Sequence, residues 1–224
     1  MMKIKKIFDL SRPLYHNCPG WPGSDLAEVH KVMYLPHDMC NMEKVSAFTH
    51  TGTHADSPLH FFEDAESMDQ IDVSTWVGEG VVLDLAHKER KAPITYEDLD
   101  KAGKHVKKGD IIAIRTGTDK YYGYNHNYMQ DWPAINEDGA KWIVERGVKV
   151  VGVDSFGIET FHLPEGMPAK THLTILGAKI CIVEELNLEE IAQYGEKRWL
   201  FCWLPILIKG AGGSFVRAIA MDIE

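Results

Sequence analysis

The sequence has no run of about eighteen apolar residues, so nothing in it reads as a membrane-spanning helix. Cysteine is scarce: Cys18, Cys40, Cys181 and Cys202 are scattered, with no CxxC pair. Free thiols in a cytoplasmic protein are the expectation, with Cys181 and Cys202 buried in apolar runs. Positive charge is also short. Against 33 acidic residues stand 24 basic ones, a net charge of -9, which argues against binding to a phosphate backbone. The opening MMKIKKIFDLS has lysines but only a short apolar patch, so it does not read as a signal peptide. Neither GxGxxG nor GxxxxGK[ST] occurs, which argues against a nucleotide site. GxSxG is absent too, so Ser57 lacks the elbow of a serine hydrolase.

What is present fits a soluble globular chain. With 224 residues, 45% of them hydrophobic and 25% charged, it can bury a full core. No repeat, low-complexity tract or linker divides it, so residues 1–224 are expected to form a single domain. Strand-like runs recur at 80–85, 109–115, 148–154, 179–184 and 199–208, and their near-continuous apolar character predicts strands buried on both faces. The last, WLFCWLPILI, reads equally as core or as subunit interface. Helical segments alternate with them. Thr95 and Asn136 are placed to cap helices that end at Gly103 and Gly147, and Asn187 to cap LEEIAQYG. Ala140, Ile143 and Val144 would form the apolar stripe of the second helix. The fold class is mixed α/β with strands outnumbering helices. Residues 116–135 carry five aromatic rings without periodicity and read as a long loop.

The chemistry concentrates in residues 48–62, FTHTGTHADSPLHFF. His50, His54 and His60 fall there with Asp56, interleaved with Gly52 and Pro58. Imidazole nitrogen and carboxylate oxygen are the ligands of zinc and similar ions. The interval between His50 and His54, Thr-Gly-Thr, is poor helix material. In a straight strand His50 and Asp56 would lie roughly 20 Å apart, beyond the reach of one ion. A metal site therefore requires the chain to curl, and Gly52 is where positive φ comes without strain. His60, just past Pro58, is placed to act as general acid or base. The alternative is a polar loop with unrelated histidines.

The pattern His50-Thr-Gly-Thr-His54-Ala-Asp56-Ser-Pro-Leu-His60 resembles the HxGTHxDxPxH signature of the cyclase family of metal-dependent hydrolases, which includes the bacterial kynurenine formamidases and the isatin hydrolases. Further segments are similar along most of the chain: FDLSRPLYHNCPGWPG, GDIIAIRTG, KVVGVDS, HLTILGAKICIVEELNL and GAGGSFVRAIA. The resemblance implies a swivelling β/β/α fold and a homodimer or higher homo-oligomer. It implies metal ligands at His50, His54 and Asp56, joined by His172 and Glu184 around a second ion, with Asp56 and Glu184 bridging. His60 would be the catalytic acid/base and Trp21 a substrate contact. Two zinc ions are implied, with manganese as the alternative. On its own residue Glu184, a carboxylate closing the apolar run 179–184, is a reasonable ligand if it faces a cleft, but a lone His172 and a lone Glu184 are more often a surface polar residue and a helix-start acid; Trp21 reads equally as a packing aromatic.

The implied activity is amide hydrolysis, N-formyl-L-kynurenine giving L-kynurenine and formate. Isatin or another small cyclic amide is the alternative substrate class, and a non-catalytic metal-binding member is the alternative role. SFGIETFHLPEG after Gly-Val-Asp departs from the Ser-Val-Asp-Pro-like stretch of the formamidases. Glu184 favours the two-metal branch over the isatin hydrolases, which carry a different side chain there.

Overall fold

Strands that are apolar on both faces need covering on both, and this dictates the architecture. The computed structural model describes residues 3–224. Its strands are β1 (Ile4–Asp9), β2 (Glu28–Met33), β3 (Met42–Ser46), β4 (His54–Asp56), β5 (Val77–Asp84), β6 (Pro93–Ile94), β7 (Ile111–Arg115), β8 (Ala134–Ile135), β9 (Val150–Val153), β10 (Cys181–Glu184), β11 (Arg198–Cys202), β12 (Gly213–Phe215) and β13 (Ile219–Ile223). The helices are α1 (Tyr96–Ala102), α2 (His126–Met129), α3 (Glu137–Arg146), α4 (Lys170–Gly177) and α5 (Glu189–Ala192). Nine strands make one sheet in the order β1-β13-β11-β5-β7-β9-β10-β4-β12.

The four central strands, β5, β7, β9 and β10, run parallel, and α1, α3 and α4 lie on the connections between them. Val81, Ile112, Val151 and Ile182 pack beneath Leu99, Trp142, Ile143 and Ile175 of those helices. The alternate residues Val82, Ala113, Val150 and Val183 face a second core with Phe8, Ala55, Trp199, Phe201 and Trp203. That second core draws on β1, β4, β11 and β13 together, so the sheet curls around it.

Local sequence explains the helix ends. Thr95 and Asp98 form a reciprocal capping box at α1, and Asn136 caps α3 through Gly139 N–H. Gly147 stops α3 in the left-handed conformation at φ 65°. Three expectations are corrected. Asn187 does not cap α5: Leu188 precedes that helix, and the Asn187 N–H donates instead to the Leu10 carbonyl. Residues 116–135 are not a structureless loop. They hold a 3-10 turn (Asp119–Tyr121), α2 and β8, pinned because Tyr128 and Trp132 are buried against Phe156. WLFCWLPILI is strand only to Cys202; Trp199, Phe201 and Trp203 are core, whereas Leu204, Ile206 and Leu207 are exposed. Cys181 is buried as expected, Cys202 only partly. No helix among the described residues is long and apolar enough to cross a membrane.

Candidate metal centre

The curl that the sequence requires is present. Gly52 sits at φ 64°, and the chain turns there so that His50 Nδ1 comes within 2.7 Å of Asp56 Oδ1. Thr53 locks the turn: its hydroxyl donates to the Glu185 carbonyl (2.8 Å) and accepts from Arg12 N–H (2.7 Å). Beyond it β4 is held on both sides, by β10 and by β12. Register places His54 opposite Glu184 and Asp56 opposite Ile182. Cross-strand partners share a face. His54, Asp56 and Glu184 therefore project together on the side that carries the helices, while Ala55 faces the other core.

The chain then leaves β4 through a 3-10 turn, Pro58–His60. His60 stacks on His50, with ring centroids 3.9 Å apart. The glycine-rich segment before β12 makes room for this. A Cβ at Gly213 would overlap the His50 ring. That is the physical content of the GAGG run, and Gly212 accepts from both Ser57 N–H and Ser57 Oγ to hold the turn.

The second half of the site comes from far along the chain. His172 lies in the first turn of α4, with Nε2 3.5 Å from Glu184 Oε1. Its Nδ1 lies 3.0 Å from Glu159 Oε2, and Glu159 also accepts from the backbone N–H groups of Thr171 and His172. Glu184 Oε1 accepts from Ile158 N–H at 2.7 Å. On the other side His54 Nδ1 faces the Gly52 carbonyl at 2.7 Å, which leaves Nε2 turned to Asp56 and Glu184 at 3.6 and 3.5 Å.

Two groups of metal-capable atoms converge, each within 4.8 Å: His50, Asp56 and His60 in one, His54, Asp56 and Glu184 in the other. Asp56 belongs to both. His172 lies outside both groups but touches Glu184, and His60 falls among the candidate ligands rather than apart from them. Asp56 is 1% exposed; its Oδ1 lies 2.7 Å from His50 Nδ1, and no backbone N–H or hydroxyl donates to either oxygen. A buried carboxylate among imidazoles alone is a position where a cation would compensate its charge. The donor set, imidazole nitrogen with carboxylate oxygen, fits a divalent ion of the zinc or manganese type.

Electrostatics follow from this crowding. Burial pushes His60 down to about 4, with Asp56 opposing and the neighbouring imidazoles assisting. Burial also works against charge on His172, but Glu159 and Glu184 override it and hold the ring up at about 10. His50 is raised against its burial by Asp56. Asp56 is held below the ordinary carboxylate range: burial opposes this, and the surrounding imidazoles prevail.

The centre floors a cavity of about 490 Å³ whose walls include Trp21, Phe48, Phe61, Phe156, Phe161 and Leu163. Trp21 is 48% exposed and stacks on Phe156 at 6.0 Å. Sequence reading missed Glu159 and Glu185. Glu159 lies inside the divergent stretch SFGIETFHLPEG, where a carboxylate five residues after Asp154 was the available signal. Glu185 lines the cavity behind Glu184, and burial lifts its carboxyl to about 8 while Tyr128 donates to it.

The curled sheet and the candidate centre on it belong to a known family. The family model Cyclase matches residues 8–160, and the chain belongs to the cyclase family. Among curated relatives, the kynurenine formamidase of Bacillus anthracis is 27% identical over 224 residues, covering 99% of this chain and 100% of the relative. The kynurenine formamidase of Erythrobacter litoralis is 25% identical over 98% of this chain and 95% of its own. Among solved structures, an isatin hydrolase bound to the product analogue thioisatinate superposes with a TM-score of 0.87 at 20% identity, over 98% of this chain and 93% of that one. Isatin hydrolase A from Labrenzia aggregata gives 0.85 at 22% identity, over 98% and 94%. These two likenesses carry the fold.

Proposed function

We propose that this chain is a metal-dependent hydrolase of a small aryl formamide, acting on N-formyl-L-kynurenine to give L-kynurenine and formate. The observation that carries the reading is Asp56, a buried carboxylate whose close partners are imidazoles alone and which is shared by two groups of candidate ligands. Full-length similarity to kynurenine formamidases supports the substrate class. In this reading His50, His54, Asp56, His172 and Glu184 hold two divalent ions, zinc or alternatively manganese. When bound, such ions polarise a carbonyl and bring the pKa of a water toward neutrality.

The chain's own groups do the rest. His60, with its pKa low, is neutral at physiological pH and has a ring nitrogen free to take a proton from the attacking water. The C–N bond breaks as that proton passes to the departing nitrogen. Glu159 fixes the tautomer of His172 by accepting at Nδ1, so that Nε2 faces Glu184. Trp21 and Phe156 offer the aromatic wall against which an aryl ring stacks. We read the enzyme as cytoplasmic, which suits its free cysteines.

Formate release from N-formyl-L-kynurenine by zinc-loaded protein tests this. Chelation should abolish turnover, and His60→Ala should lower it by roughly 10²- to 10⁴-fold. Bound metal without formate release would overturn the substrate, and isatin would be the next amide to assay.

A further inference from the structure

The aromatic segment 116–135 is tied to the turn between His50 and His54. Tyr128, fully buried, donates its hydroxyl to Glu185 Oε2 at 2.6 Å. The Gly52 N–H faces the same carboxyl. The Glu185 carbonyl accepts from the Thr53 hydroxyl at 2.8 Å, and the Glu185 N–H donates to the Ser155 carbonyl at 3.1 Å. Arg12 closes the circuit. Its backbone N–H donates to Thr53 Oγ1, and its Nη2 donates to the Asp119 carbonyl at 2.9 Å. Its guanidinium lies 4.7 Å from the centre of the Tyr122 ring, which meets Tyr128 edge-on. Glu185 itself is buried, and its backbone sits at φ 58°, in the left-handed region that a residue with a side chain rarely adopts. Such a conformation persists only where the surroundings over-determine it, and it clusters at functional sites.

We propose that Glu185 is a positioning residue of the candidate metal centre: with Tyr128 it clasps the Gly52–Thr53 turn to the end of β10, and so sets His50 and His54 against Glu184. The need for a clasp lies in the path of the chain. Gly52 gives the turn its positive φ, but glycine also has the most conformational freedom to lose. His54 is held by the strand ladder, opposite Glu184. His50 lies before β4 and outside every strand, so slack at Gly52 or Thr53 would separate the two imidazoles. Glu185 follows Glu184 directly and grips both residues of the turn, Thr53 through its carbonyl and Gly52 through its carboxyl. It belongs to neither group of converging ligand atoms, so it acts through the turn rather than on an ion. Outer groups that orient ligands are usually worth 10- to 100-fold in metal affinity. The clasp also gives the aromatic segment a role: it carries Tyr128 and Tyr122, and it presents the Asp119 carbonyl to Arg12.

This rests on the metal reading of the site, and its test reads binding rather than formate release. The full chain, stripped with chelator, is titrated with zinc in competition with a coloured chelator, and with cobalt(II) followed by its visible absorption. Glu185→Ala should lower zinc affinity about 10- to 100-fold and shift the cobalt spectrum, with far-UV circular dichroism unchanged. Glu185→Gln keeps the length and an oxygen for the Gly52 N–H, and should restore most of the affinity. Tyr128→Phe removes one hydroxyl and keeps the ring in its packing. It should shift affinity and spectrum in the same direction by less, and it reads the same clasp where the alanine variant does not fold. A merely structural Glu185 would lower the melting temperature of the stripped protein and leave affinity and cobalt spectrum as in the wild type, which would overturn the proposal. Equal losses in Glu185→Gln and Glu185→Ala would overturn it too, by making the charge and not the contacts responsible. A Tyr128→Phe protein identical to the wild type would remove the aromatic segment from the clasp. A wild type that binds no metal would overturn this proposal and the metal reading together, whereas metal binding without formate release would overturn only the substrate.

Discussion

The two halves of the candidate metal centre present the same chemistry but are built differently. His50, His54, Asp56 and His60 come from eleven consecutive residues shaped by one glycine, one proline and a three-residue strand. His172, Glu159 and Glu184 come from a helix, a loop and the end of a parallel strand, brought together only by the fold. The local half is set by backbone turns and has at its centre a carboxylate faced by imidazoles and by no backbone N–H. The distant half is tied by hydrogen bonds to carboxylates that are themselves anchored, Glu159 on α4 N–H groups and Glu184 on Ile158 N–H. Substitutions in the local half should therefore remove function outright, whereas those in the distant half should loosen it by degrees.

The largest effect belongs to Asp56→Asn. Asp56 is common to both ligand groups, so metal content should drop at both positions and formate release should fall to background. Elemental analysis after dialysis, beside the formate assay, reads both. A variant that kept a full complement of metal would break the comparison.

His60→Ala sharpens it. General acid/base groups contribute on the order of 10²- to 10⁴-fold, so kcat should fall by about that much. Metal content should stay unchanged if His60 only moves protons. Because His60 also groups with His50 and Asp56, a matching loss of metal would make it a ligand instead.

For the distant half, Glu159→Gln should weaken metal affinity about 10- to 100-fold, the usual cost of losing an outer carboxylate on a metal-bound imidazole. Added metal should then restore activity, which Asp56→Asn would not allow. Competition with a coloured chelator measures the affinity, and identical affinities in wild type and variant would remove Glu159 from the site.

The unequal construction also explains what was legible in the sequence. The curl at Gly52, the grouping of three histidines with Asp56, the capping of α1 and α3 and the central strands buried on both faces all follow from neighbouring residues. Glu184 was readable as the carboxylate closing an apolar strand. The contact between Glu159 and His172 was not, because it depends on how α4 docks, and α4 lacks a side-chain cap or an acidic first turn to announce it. Nor was the need for Gly213, which arises from the His50 ring, more than 160 residues earlier in the chain. The order in 116–135 was hidden for the same reason: Phe156, against which its Tyr128 and Trp132 pack, belongs to another segment.

The smallest effect is expected at the cavity wall, where neither half of the centre is touched. Trp21 is half exposed and stacks on Phe156, so its removal takes away a partner for an aryl substrate without disturbing a ligand. An aromatic contact of this kind is worth about 0.5–1.5 kcal/mol. Trp21→Ala should therefore raise KM by roughly 2- to 10-fold with kcat nearly unchanged, because a wall that binds ground state and transition state equally moves KM alone. Metal content should equal that of the wild type. Trp21→Phe should recover most of the loss, since stacking needs a ring and not the indole N–H. A fall in kcat as large as that of His60→Ala would place Trp21 within the reacting machinery rather than in its wall.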